Sequence, residues 1–126
     1  MTLDANIVIA YLAGDQAVSE LLSQLRRGGT TLFLSPVAET EVLSFSPWTI
    51  AERQATEAFL EENFASIPFD RAVARIVADI RRKTKIKFPD AAIAATAIFT
   101  NTPVLTRNQR DFKRIAKVTS LQVFTV

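Results

Sequence analysis

At 126 residues, 48% of them apolar, with a net charge of +2 and with neither cysteine nor histidine, the chain has the size of one domain, residues 1–126. The missing cysteines exclude disulfides, thiolate nucleophiles and Cys-ligated metal centres, and the missing histidines remove the usual general base and the usual zinc ligand. Any catalysis therefore falls to carboxylates, and because no apolar run approaches the roughly 18 residues that a bilayer crossing demands, no membrane association is expected.

In chain order, residues 1–3 read as a short strand, followed by helices over 5–13 and 16–26. A strand over 31–35 leads into helices over 36–44 and 50–64. A strand over 66–69 precedes helices over 71–84 and 89–100, and the chain finishes with a strand over 103–106, a helix over 109–115 and a strand over 122–126. Gly14, Gly28, Gly29, Pro47, Pro68, Pro89 and Pro103 fall near these boundaries, where glycine and proline are expected. Short β-leaning runs alternating with amphipathic stretches describe an α/β domain, a five-stranded parallel sheet wrapped by helices. The 71–84 helix carries Ala72, Val73, Ile76, Val77 and Ile80 on one side, whereas 89–100 is apolar nearly all round and is expected to be buried, with Asp90 its one charge. The opening Met1-Thr2-Leu3-Asp4 lacks the basic and apolar regions of a secretory leader, so a cytoplasmic location is expected.

Charge is unevenly spread. Residues 71–117 hold Arg71, Arg75, Arg81, Arg82, Lys83, Lys85, Lys87, Arg107, Arg110, Lys113, Arg114 and Lys117 against only Asp79, Asp90 and Asp111. Such a half suits a polyanion or an acidic protein, or is simply a solvated helix face. Aromatic support for a nucleic acid is thin: the nine phenylalanines mostly read as core, and Trp48 is the one large ring in a loop-like context.

Most acidic residues decorate solvated helix faces, but four do not. Asp4 directly follows the first strand, Glu41 lies within Val-Ala-Glu-Thr-Glu-Val-Leu, Asp90 opens the alanine-rich helix, and Asp111 follows the 103–106 strand. In an open parallel sheet, ligands bind outside the carboxyl ends of the strands, and Asp4, Asp90 and Asp111 fit that placement, with Glu41 able to reach back from two turns into its helix. Carboxylates gathered in a pocket repel strongly unless a cation neutralises them, and an oxygen-only donor set suits Mg²⁺ or Mn²⁺. Each residue also has a simpler reading. Asp4 and Asp90 sit where helix caps are favoured, Asn6 can cap the first helix, Glu41 can be a half-exposed helix residue, and Asp111 can pair with Arg107 or Lys113.

Four segments resemble the PIN-domain family, and within it the VapC-type toxins of toxin-antitoxin modules: Leu3-Asp4-Ala5-Asn6; Ser35-x-Val37-x-x-x-Glu41-Val42-Leu43; Asp90-Ala91-x-Ile93-Ala94-Ala95-Thr96-Ala97; and Val104-Leu105-Thr106-Arg107-Asn108-x-x-Asp111-Phe112. The resemblance implies a three-layer α/β/α fold and an endoribonuclease. It implies that Asp4, Glu41, Asp90 and Asp111 form an acidic quartet for one or two Mg²⁺ or Mn²⁺ ions, with Asn6, Ser35, Thr106 and Asn108 as the polar surround. Some relatives carry an acid where Asn108 stands. RNA would follow the basic track Arg81, Arg82, Lys83, Lys85, Lys87, Arg107 and Arg110, and a cognate antitoxin and a homodimer are the partners expected. Two rival readings remain at this point. One is an α/β phosphotransferase in which Asp4 takes a phosphoryl group, disfavoured because Asn6 and Arg107 stand where a second Asp and a Lys are expected. The other is a non-catalytic module that binds RNA or protein.

Overall fold

The computed structural model describes all residues, Met1–Val126. Three short strands pair in parallel: β1 (Thr2–Leu3), β2 (Val104–Leu105) and β3 (Val123–Phe124), in the order β1-β2-β3. On the free side of β1, single parallel bridges join Thr2 to Phe33 and Phe33 to Ala65. Leu3 N–H donates to Phe33 O at 2.9 Å and Leu34 N–H to Ala65 O at 2.9 Å, so the ladder continues through both segments. The expected five-stranded sheet is therefore realised as three paired strands and two single bridges. The 66–69 strand is the clearest departure, since pairing occurs at Ala65 and not beyond it. The next donor in register, Ile67 N–H, makes no main-chain hydrogen bond, so the pairing stops at Ala65.

Seven helices complete the chain: α1 (Ala5–Leu12), α2 (Gln16–Arg27), α3 (Pro36–Ser44), α4 (Ile50–Asn63), α5 (Arg71–Lys83), α6 (Phe88–Thr100) and α7 (Gln109–Ala116). Their starts are set by side chains that satisfy the free N–H groups of the first turn. Asp15 accepts from Val18 N–H, Ser35 from Ala38 N–H and Asp70 from Val73 N–H, while Thr49 and Glu52 form a reciprocal capping box. Asn101 closes α6 in the left-handed region, φ 54°, a conformation asparagine tolerates better than most residues.

The core follows from α6. Ala91 to Ala97 are all buried, and their small side chains let the helix pack directly on β1 and β2, with α3, α5 and α7 around it. On α5, Val73, Val77 and Ile80 turn inward, but Ala72 is exposed and Ile76 only half-buried, so the apolar stripe is narrower than its sequence suggested. No helix is long and apolar enough to cross a membrane.

The strand order decides where a site can form. After β1 the chain moves outward on one side through Phe33 and Ala65, then returns to the other side of β1 for β2 and β3. Loops that leave β1 and β2 at their carboxyl ends therefore diverge and open a crevice between them.

Candidate functional site

The crevice between β1 and β2 is lined first by Asp4. Its main-chain N–H donates to Leu105 O at 3.0 Å, which fixes it at the end of β1, and its residue is only 4% exposed. Although Asp4 stands at the N-cap of α1, no cap hydrogen bond forms from its side chain. The Thr106 hydroxyl, wholly buried at the end of β2, instead donates to Asp4 Oδ2 at 2.7 Å. The same Thr106 oxygen accepts from the Asn108 main-chain N–H at 2.8 Å, and so spans the two strand ends.

From Thr106 the network runs on. The Asn108 side-chain amide donates to Asp111 Oδ2 at 3.2 Å and makes a longer contact of 3.5 Å with Asp90 Oδ2. Asp90 lies in the first turn of α6, and Asp111 in the first turn of α7. Neither expected partner of Asp111 is engaged with it. Arg107 donates to Asp15 Oδ2 at 2.8 Å and Lys113 to Gln109 Oε1 at 3.0 Å.

Electrostatics bind Glu41 into the group. Burial raises the Asp90 carboxyl to about 6, helped by the charges of Asp4, Asp111 and Glu41 and opposed by Lys87. Burial also raises Glu41, with the Asp4 charge adding to it. Asp4 itself is raised by burial, against the lowering effect of the Thr106 hydrogen bond. All four acids thus belong to one electrostatic unit. As placed, however, no three acidic side chains converge into a ligand set for a metal ion. The four acids therefore share a crevice and do not form a closed cage. The donor set still fits a hard divalent cation, because it offers only oxygen and its charge is compensated only in part, by Lys87.

The polar surround divides. Thr106 and Asn108 join the acids directly, but Ser35 is spent on capping α3, its hydroxyl accepting from Ala38 N–H at 3.0 Å. Asn6 does not cap a helix; its Oδ1 accepts a long 3.4 Å contact from Arg107 N–H. The basic track is also partly committed. Arg82 and Lys83 both close on Asp79 at 2.9 Å, and Arg107 on Asp15 at 2.8 Å, while Arg81, Lys85, Lys87 and Arg110 stay exposed without an acid partner. Asp79 stands three and four residues before its partners, a spacing legible in the sequence. The Asp15–Arg107 pair has no local signal at all. Five of the nine phenylalanines depart from the core reading: Phe45, Phe69, Phe88, Phe99 and Phe124 are exposed. Trp48 is half-buried and lines an apolar hollow with Ile9, Leu12, Val42 and Phe45.

The sequence profile of the PIN domain matches residues 1–118. The chain belongs to the PIN-domain family. This PIN domain is 28% identical over 136 residues to a protein named Ribonuclease VapC from Rickettsia bellii (strain RML369-C), across 100% of this chain and 96% of that protein. Among solved structures it superposes on VapBC2 from Rickettsia felis bound to a DNA fragment from its promoter, at a TM-score of 0.82 and 23% identity, covering 99% of this chain and 97% of that one. It likewise resembles FitAcB from Neisseria gonorrhoeae, TM-score 0.76 and 26% identity, covering 98% and 95% of the two chains. The resemblance read from four sequence segments is borne out for the family, and with it an α/β PIN fold built on a parallel sheet.

Proposed function

We propose that this PIN domain is a Mg²⁺- or Mn²⁺-dependent endoribonuclease and the toxin half of a toxin-antitoxin pair. The observation that supports the reading is the hydrogen-bonded chain that runs from Asp4 through Thr106 and Asn108 to Asp90 and Asp111 at the carboxyl ends of β1 and β2, with Glu41 close enough to feel the Asp4 charge. In this reading Asp4, Glu41 and Asp90 hold the principal ion and Asp111 completes the site. A bound divalent ion supplies charge neutralisation on the phosphate and acidifies the attacking water, work that histidine performs in other nucleases. Thr106 holds the Asp4 carboxylate in place, and the Asn108 amide holds Asp111 and draws on Asp90. Arg81, Lys85, Lys87 and Arg110 attract the RNA backbone.

Likeness to the VapBC and FitAcB structures supports a cognate antitoxin as partner. The apolar hollow of Ile9, Leu12, Val42, Phe45 and Trp48, at the carboxyl ends of α1 and α3 and the loop that follows, gives such a partner an apolar surface. A homodimer and a cytoplasmic site of action complete the proposal; light scattering that finds a monomer at micromolar concentration counts against the dimer.

The test is cleavage of short single-stranded RNA by purified protein with Mn²⁺. Wild type is expected to cleave and Asp90→Asn to lose activity by at least about 100-fold, the scale of removing one group that stabilises transition-state charge. Equal cleavage by both proteins, or none by wild type at high concentration, defeats the proposal.

A further inference from the structure

Phe69 and Phe88 meet with ring centroids 5.7 Å apart at 63°, yet they are 40% and 41% exposed. Two large rings left half in water form an apolar corner that the fold does not need for its core. Both stand at helix starts that are firmly anchored. Phe69 precedes Asp70, whose side chain caps α5 by accepting from Val73 N–H at 3.1 Å. Phe88 is the first residue of α6 and is followed by Pro89, which restricts its backbone. Between the two helices, residues 84–87 return the chain to Phe69, held by the buried Ile86. The corner is therefore rigid.

Its surroundings are basic. Lys85 and Lys87 are exposed and have no acid partner. Phe88 and Asp90 share the first turn of α6, and because side chains two residues apart do not face each other, the corner lies outside the crevice on a neighbouring face. An aromatic corner rimmed by free cations complements a flexible polyanion with aromatic bases, since bases stack on rings while phosphates meet lysines.

We infer that Phe69 and Phe88 form a stacking subsite for one unpaired nucleobase of the substrate, outside the crevice, with Lys85 and Lys87 holding the flanking phosphates. The inference rests on the ribonuclease reading for its substrate, and it makes the domain selective for single strands, because a base inside a duplex has no free face to stack.

The experiment measures binding and cleavage separately. Fluorescence anisotropy with a labelled short single-stranded oligoribonucleotide, without divalent metal, gives the affinity of wild type, Phe88→Ala, Phe69→Ala and Phe88→Trp. The alanine variants are expected to bind about 10- to 100-fold more weakly and Phe88→Trp to bind at least as well as wild type. The same measurement with abasic oligonucleotides, one position removed at a time, is expected to find one position whose loss weakens wild type as much as Phe88→Ala does and weakens Phe88→Ala no further. Duplex RNA of the same sequence is expected to show little dependence on either ring. Affinity equal to wild type in both alanine variants, or base removal that is additive with Phe88→Ala at every position, overturns the inference, as does loss of self-association in place of RNA affinity. Because abasic scanning uses the wild-type protein, the test survives a variant that fails to fold. Cleavage without ring dependence sinks the subsite alone, whereas ring-dependent binding without Mn²⁺-dependent cleavage sinks the nuclease reading alone.

Discussion

Replacing Thr106 with valine keeps a buried, β-branched side chain and deletes a single hydroxyl that serves two partners. That hydroxyl donates to Asp4 Oδ2 at 2.7 Å and accepts from Asn108 N–H at 2.8 Å. A hydrogen bond to a charged group contributes about 1.5–3 kcal/mol, and the Asn108 N–H, being half-exposed, regains part of its loss from water, so the total cost is about 2–4 kcal/mol. For a domain of this size that corresponds to a fall in Tm of roughly 8–16 °C. The cost has a pH dependence with a definite sign. Thr106 favours ionised Asp4, so the gap between the two proteins is widest where Asp4 is charged and narrows as pH falls through its raised folded pKa. Urea denaturation in EDTA at several pH values measures this, and calorimetric titration with Mn²⁺ measures the second effect, an affinity loss of about 10- to 100-fold from releasing the ligand's positioning hydrogen bond. Thr106→Ser, which retains the hydroxyl, serves as the control. Equal stability and equal Mn²⁺ affinity in wild type and Thr106→Val, or equal damage from Ser and Val, would refute the reasoning.

Other expectations follow from the same crevice. In EDTA, Asp90→Asn is expected to melt higher than wild type at pH 8 and to match it below about pH 4: the raised carboxyl, about 6 against an ordinary 3.8, penalises the native state increasingly as pH climbs through that window and fully above it. A variant that melts lower than wild type at pH 8 would contradict the crowding of charge. Mn²⁺ must displace the Asp90 proton, so its affinity by calorimetry should fall about tenfold per pH unit below about 6 and stay flat above, whereas an affinity indifferent to pH would exclude Asp90 as a ligand. Asn108→Asp exchanges the amide that bridges Asp90 and Asp111 for a fifth negative group. It should lower Tm in EDTA and enlarge the Tm gain on adding Mn²⁺, and an unchanged gain would place that side chain outside the metal's reach. Ala94→Leu inserts three heavy atoms into a wholly buried position of α6, and the urea midpoint is expected to drop by the equivalent of at least about 1–3 kcal/mol; a neutral effect would mean that the helix is less tightly packed than described.

Much of the framework was legible in the sequence because local chemistry dictates it. The starts of α2, α3, α4 and α5 follow from Asp15, Ser35, Thr49 with Glu52, and Asp70, each a side chain whose oxygen answers free main-chain N–H groups within three residues. The burial of α6 follows from a run with one charge in it. Strand pairing was harder, because a segment's length in a sheet depends on what lies beside it. The 31–35 run pairs through the single residue Phe33, bridged to Thr2 on one side and to Ala65 on the other, and 66–69 yields to Ala65. Asp4, Asp90 and Asp111 were picked out by their place after strands and at helix starts, and Glu41 by its reach from two turns into a helix, yet the coupling of the first three through Thr106 and Asn108 joins residues as far apart as Asp4 and Thr106 and leaves no periodic trace. The same holds for Arg107, drawn to Asp15 across 92 positions. Phe69 and Phe88 misled in the opposite direction. Hydrophobicity alone assigns them to the core, and only the packing of the α5 and α6 starts reveals that no core remains there to receive them.

In the proposed function, Asp4, Glu41, Asp90 and Asp111 serve one divalent cation between β1 and β2. Crystals grown with Mn²⁺ and measured at the manganese absorption edge test it directly. An anomalous peak about 2.1 Å from carboxylate oxygens of Asp4 and Asp90, with Glu41 or Asp111 turned toward it, is the expected result. A crevice without a peak at saturating Mn²⁺, or a peak held by other residues, would contradict it.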